Sequence, residues 1–261
     1  MSNTIFTLET NGITKTLELK VEYTRFLFHG GAKKSSDNSA FHFASLNVKN
    51  DYNNDGTIIR ESIKSAKEVV DKINAQEDNS IQSIDFFCHG DMLGLYFIVG
   101  ASIYSNVSSE DVESKNLNAS LYLGKATRLI QGSDLHDDSR VIQDIELSKF
   151  TNGCKIEIHG CLTAHDMYVK DNICEELSEL LYSEGKKKAV VIGHTERANP
   201  NIKDTKKWDE KKKEWIITKT TNKEQDYRQG ERKVFHNGKV ILTTTKKGRI
   251  TGKEINNVIP E

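Results

Sequence analysis

The sequence predicts an α/β protein built on a mostly parallel sheet flanked by helices, with an N-terminal hairpin and a C-terminal β-hairpin extension. Three observations lead there. Apolar runs too short for helices, SIDFFCHG at 83–90, CKIEIHG at 154–160 and KKKAVVIGHT at 186–195, read as buried strands. Helical spacing fills the stretches before and between them, and strand, helix, strand in succession is the pattern of a parallel sheet. The chain opens and closes on alternating segments that each contain an Asn-Gly step, the strongest short-range hairpin signal.

Composition sets the class. With 261 residues, 36% hydrophobic and 29% charged, and a net charge of -1, the chain reads as one globular domain able to bury a substantial core. The divisions expected within it are a hairpin at 1–22, an α/β core at 23–200 and a basic extension at 201–261. No secretory signal and no apolar run of membrane-spanning length stands out, so a cytoplasmic protein is expected, with export by a signal-independent route equally compatible. Charge is uneven: from residue 201 onward 16 Lys or Arg stand against 9 Asp or Glu, whereas the first 200 residues carry 21 against 29. That basic tail reads as a solvated surface or as a site for a polyanion. No nucleic-acid motif accompanies it.

In order, residues 4–21 alternate around TNGIT as a hairpin, TRFLFHGG at 24–31 is a strand closed by two glycines, and AFHFASLNV at 40–48 is a further strand candidate. From Thr57 to Ala75, Ile59, Ile63, Ala66, Val70 and Ile73 recur at helical spacing. SIDFFCHG follows directly. Residues 100–140 read as polar loops, with ASLYLG at 119–124 a short strand. IELSKFTNG leads into CKIEIHG, NICEELSELLYSEG at 172–185 is a helix capped by Gly185, and KKKAVVIGHT is the next strand. A Lys-rich stretch begins a peripheral antiparallel element, and KVFHNGKVILTTT is a hairpin on Asn237-Gly238.

Chemistry is expected where the strands end. Active groups of an open parallel sheet collect at its carboxyl edge, and His89 and Cys161 both follow strands there. If those strands are neighbours, about 5 Å apart, thiol and imidazole share one crevice. Thiolate is the attacking species, and a nearby His accepts its proton or stabilises its charge. Gly90 lets the backbone approach a substrate, and its amide together with that of Cys161 could donate to a developing oxyanion. Cys88 should point to the opposite face of its strand and pack in the core, and Cys154 and Cys174 read as structural. The cysteines have no zinc-ribbon spacing, and H-x-C-x3-H from His159 through Cys161 to His165 is not a common zinc pattern, so no metal is expected.

An apolar strand ending FFCHG, a spacer, and a second strand ending IHGC resemble the paired signature of the caspase-like cysteine peptidases, the clan of gingipains, legumain, clostripain, separase and CHAT domains. The resemblance covers roughly residues 23–200 and implies the caspase-hemoglobinase fold with a His89–Cys161 dyad. It implies cleavage of a protein or peptide substrate through an acyl-enzyme thioester, with no nucleic acid and no membrane as partner. Substrate contacts would come from Arg25 or His29 and from Thr195, Glu196 and Arg197. Glu196 would favour a basic residue at the cleavage site and Arg197 an acidic one. AVVIGHTERANPN followed by QGERKVFHNGKVIL is similar to the end of the inositol-phosphate-activated protease domains of bacterial toxins, which implies a polyanion activator such as inositol hexakisphosphate and no other cofactor.

The pattern departs from the clan in two respects. The 72 positions from His89 to Cys161 make a long spacer, so an inserted hairpin or a self-cleaved loop within 91–150 is expected. His159 and Asp91 flank the two motifs. The rival of another class is a catalytically silent caspase-fold module that binds a partner, or an exported effector.

Overall fold

The computed structural model describes residues 3–10, 13–20, 22–30, 39–97, 120–124, 138–166 and 172–260. Its centre is a seven-stranded sheet of β1 (Thr24–Gly30), β2 (Thr57–Ile63), β3 (Ile81–Phe87), β4 (Phe150–Ile158), β5 (Val190–His194), β6 (Arg232–His236) and β7 (Lys239–Thr244), in spatial order β2-β1-β3-β4-β5-β6-β7. The first five run parallel, β6 pairs antiparallel with β5, and β7 pairs antiparallel with β6. Strand order reverses between β1 and β3, so the crevice at their carboxyl ends is the topological switch point where such sheets bind ligands.

Among the described residues four helices flank the sheet: α1 (Ser39–Asp51), α2 (Ala66–Asn74), α3 (Ile173–Ser183) and α4 (Gly252–Asn256). One face is apolar across its centre: Phe26, Phe28, Ile84, Phe86, Ile156, Ile158 and Val191 pack against Val69, Val70 and Ile73 of α2 and Ile173, Leu177 and Leu181 of α3. The opposite face is apolar only at its two ends. Leu27 and Phe87 meet Phe41, Ala44 and Val48 of α1, and Val190, Ile192 and Val234 meet Ile255 of α4. Between them runs a buried polar belt of Ser83, Asp85, Glu157, His159, His194 and Arg232.

Two expectations change. AFHFASLNV is helix, not strand: its first residues alternate, yet Phe41, Ala44, Val48 and Tyr52 are the buried apolar positions, a helical stripe that packs on the sheet. The helix expected over Thr57–Ala75 is broken in two. Thr57–Ile63 is β2, where three consecutive β-branched residues favour the extended chain, and Ser65 opens α2 by accepting from the Glu68 amide at 3.2 Å. Ile59 and Ile63 lie four apart, a spacing that fits either period.

Other elements follow the sequence. Asn172 caps α3 by accepting from the Cys174 and Glu175 amides, and Gly185 takes φ +90 after its last turn. Asn237 and Gly238, both at positive φ, turn β6 into β7. Asn3–Thr10 pairs antiparallel with Ile13–Lys20. The spacer opens with a hairpin of His89–Asp91 and Gly94–Tyr96, extended by Leu121–Tyr122 and Arg140–Val141. Much of the stretch expected to be cleavable, 98–119 and 125–137, lies outside the described residues. The Lys-rich segment forms a hairpin of Thr205–Asp209 and Glu214–Thr218 that carries the exposed Trp208 and Trp215. No helix among the described residues is long and apolar enough to cross a membrane.

One glycine shows how tightly the layers close. A methyl group on Gly193 of β5 would collide with Cys174 Sγ and stand 2.7 Å from Thr163 Oγ1, whereas one on Gly153 of β4 would meet nothing within 4 Å. Gly193→Ala is therefore expected to lower stability by about 1–3 kcal/mol in urea unfolding while Gly153→Ala leaves it within about 0.5 kcal/mol. Equal effects would show that the α3–β5 packing is looser than this.

Candidate active site

Neighbouring parallel strands deliver the two candidate catalytic residues. β3 and β4 pair with Phe86 opposite Ile158, and the His159 amide extends the ladder by donating to the Phe86 carbonyl at 2.8 Å. Carried three residues on, that register sets His89 level with Cys161. The glycines beside them then touch: a Cβ built on Gly90 would lie 3.5 Å from the Gly160 Cα, and one on Gly160 would lie 3.4 Å from the Gly90 Cα and from the Cys88 carbonyl. A Cβ on Gly90 would also press to 2.9 Å from Thr163 Cγ2, so the two turns lie side by side and His89 and Cys161 flank their close approach.

The turn after β4 is fixed on both sides. Leu162 takes φ +58, a left-handed conformation disfavoured for a branched side chain, and its amide donates to the Glu196 carbonyl at 3.0 Å. The Ala164 amide donates to the His194 carbonyl at 2.9 Å, and Thr163 Oγ1 accepts from the His194 amide. Cys161 is left half-buried at the head of this turn, and its amide has no acceptor among the described residues. The other three cysteines are buried, and burial pushes the Cys154 thiol up to about 12 and raises those of Cys88 and Cys174. Cys161 is thus the accessible thiol.

His89 stands edge-on to Phe41 of α1 at 5.1 Å between ring centroids, and burial lowers its pKa, which keeps the imidazole neutral and able to accept a proton at pH 7. Among the described residues it makes no hydrogen bond to Cys161, whose Sγ faces the Ala198 carbonyl at 4.0 Å. Gly90 lies in the strand pair opposite Leu95. Asp91 fixes that hairpin, accepting from the Leu93 and Gly94 amides and the Tyr96 hydroxyl.

The segment after β5 also reaches the thiol, through Ala198. Within it, Thr195 is held by Glu231 at 2.8 Å and by His165, while the Glu196 and Arg197 side chains are exposed. His29 ends β1 against His42 and Arg60, and burial with those two charges lowers its pKa to about 4. Arg25 lies at the amino end of the same strand, bound to Asp55 and Ser83, so of the two residues named for β1 only His29 is at the crevice.

Sequence reasoning missed Phe41 and Tyr227, whose rings pack 5.3 Å apart beside His89. Burial raises the Tyr227 hydroxyl, with the charges of Cys161 and Cys88 adding to the effect. It missed the polar belt too, although Asp85 inside an apolar strand and Lys155, Glu157 and His159 at alternate positions were visible signals.

That belt contains one group with ligand-like spacing, Asp85, Glu157 and His159, whose donor atoms lie within 4.8 Å of one another. Its carboxylates are already neutralised: Glu157 accepts from Lys155 and Arg232, each at 2.8 Å, and Asp85 accepts from the Tyr52 hydroxyl at 2.6 Å and faces His159 at 3.2 Å. Burial alone would raise Asp85 and Glu157, yet Lys155 and His159 hold both below the usual carboxylate range, with Arg232 adding to the effect at Glu157. Two carboxylates with two cations form a closed ion network, and a metal ion would have to displace both cations. Comparison with protein-family models, curated proteins and solved structures finds no match to this chain.

The belt sets the acid response. His194 is 1% exposed with neither ring nitrogen hydrogen-bonded, and burial, then the charges of His159 and Arg232, lower its pKa to about 3 against the partial opposition of Glu157. Below pH 6.5 the unfolded chain takes up a proton here that the folded chain refuses until about pH 3. Stability should fall with pH across that window by up to about 1.4 kcal/mol per pH unit from this residue. Urea unfolding at pH 7.5 and 5.5 should show a smaller difference for His194→Leu than for wild type. An unchanged difference would assign the acid sensitivity elsewhere.

Proposed function

We propose that this chain is a caspase-like cysteine endopeptidase with His89 and Cys161 as its dyad. The contact between Gly90 and Gly160 carries the proposal, since it sets the imidazole and the one accessible thiol on adjoining turns at the carboxyl edge of the sheet, one strand from its switch point. His89 takes the Cys161 proton, the thiolate adds to the peptide carbonyl, and the Cys161 amide donates to the oxyanion. Collapse expels the amine, which leaves with the proton from the imidazolium, and water then hydrolyses the thioester. A gap between imidazole and thiol is compatible with this chemistry, because catalytic hydrogen bonds often tighten only around substrate.

The second reading, a silent partner-binding module of the same fold, is favoured by the thiol's orientation toward Ala198. Alkylation by a peptidyl acyloxymethyl ketone separates the two. Wild type should gain one adduct, mapped to Cys161, and cleave members of a peptide library. Cys161→Ala should do neither, and His89→Ala should slow labelling and cleavage by about 10²-fold or more. An adduct formed no faster than on an ordinary exposed thiol, with no peptide cleaved, would sink the peptidase and leave the binding module.

A further inference from the structure

At the opposite, amino-terminal edge of the central sheet lies a cavity of about 190 Å3 between the strand starts and α4. Four of its lining residues are cationic, Arg25, Lys155, Lys188 and Arg249, and no acidic side chain lines it. In a chain of net charge -1 that is a pronounced local imbalance. Two of the cations are committed, Arg25 to Asp55 and Lys155 to Glu157. The other two are not: among the described residues neither the Lys188 ammonium nor the Arg249 guanidinium has an anionic partner. Arg249 instead lies over the Tyr52 ring at 4.9 Å, with Arg25 over the same ring at 4.8 Å.

Like charges converging on a concave, partly desolvated surface repel one another unless an anion joins them. Guanidinium groups offer the forked donors that match phosphate oxygens, and lysine ammonium groups add point charge. We infer that this cavity binds a small, multivalent, phosphate-bearing anion, with Arg249 and Lys188 as its principal contacts. A single liquid water occupies ~30 Å3, so the volume admits an anion of diphosphate size. Only Arg249 comes from the basic tail; the other three cations belong to the α/β core, so the site differs from the one the tail's lysine count suggests. The inference is independent of any peptidase activity.

Inorganic pyrophosphate is the probe, titrated into the full chain with thermal unfolding as readout and ionic strength held constant with NaCl, so that general screening is removed. Wild type should show a saturable rise in Tm, and the double variant Lys188→Gln/Arg249→Gln should need at least tenfold more ligand. Neither side chain makes a hydrogen bond or ion pair among the described residues, so the variant should fold. The assignment is overturned if wild type shows no saturable rise, or if the double variant responds like wild type. It is equally overturned if only Lys211→Gln/Lys212→Gln/Lys213→Gln, in the exposed hairpin, abolishes the response. Co-sedimentation with phosphatidylcholine vesicles containing phosphatidic acid, lost in the double variant and without any response to pyrophosphate, would assign the phosphate to a lipid headgroup and overturn a soluble ligand.

Discussion

Glu157 is the buried anion on which one whole face of the sheet is organised. It sits in β4, fully enclosed, and accepts from Lys155 on its own strand and from Arg232 two strands away. Arg232 in turn donates to the carbonyls of Lys246 and Gly248, so one carboxylate ties β4 to β6 and to the segment that leads into α4. An isolated charge in that position would be prohibitive, and its pairing only offsets the desolvation. The value of the network is therefore register more than raw stability. A slip of β4 by one residue would turn Lys155, Glu157 and His159 onto the apolar face with α2 and α3.

The two faces divide the labour. The apolar face supplies the hydrophobic driving force, with Phe28, Phe86, Ile156 and Ile158 fully or almost fully enclosed. The polar face fixes which residue follows which at the carboxyl edge. Because Asp85 and Glu157 are held opposite each other, Phe86 and Ile158 are too, and the turns beyond them meet at Gly90 and Gly160. The candidate dyad is thus a consequence of strand alignment established well below it, with His159 stacked on Phe87 at 4.3 Å as the last cross-strand contact before the chain turns.

Much of this was legible in the sequence because buried parallel strands announce themselves. SIDFFCHG, CKIEIHG and AVVIGHT are short, apolar and bounded by glycine or charge, and each became a core strand. α3 was legible from its cap and its stripe together. Where the sequence misled, local pattern and tertiary context disagreed. AFHFASLNV alternates over its first residues, and only packing of Phe41, Ala44 and Val48 onto the sheet decides for helix. Thr57–Ala75 hid a strand because isoleucines four apart fit both periods, and Ser65, the residue that stops one element and starts the next, was passed over. Phe41 and Tyr227 were beyond local reading altogether, since 186 residues separate two rings that only the fold brings together.

β4 also separates two kinds of chemistry. Lys155 lies in the second half of the strand, in the wall of the cationic cavity, and Cys161 lies three residues past its end, six residues further on and at most about 20 Å away at the rise of an extended chain. An anion among Arg25, Lys155, Lys188 and Arg249 could not touch a substrate held at Cys161. Its charge would be felt first by Glu157 and Asp85, which share Lys155, and the ion pairs there would damp the field before it reached the thiol. The cavity is therefore not a subsite of the crevice. It belongs to the folding of the polar face, where an excess of cations at one edge of the belt is left for something outside the chain to balance.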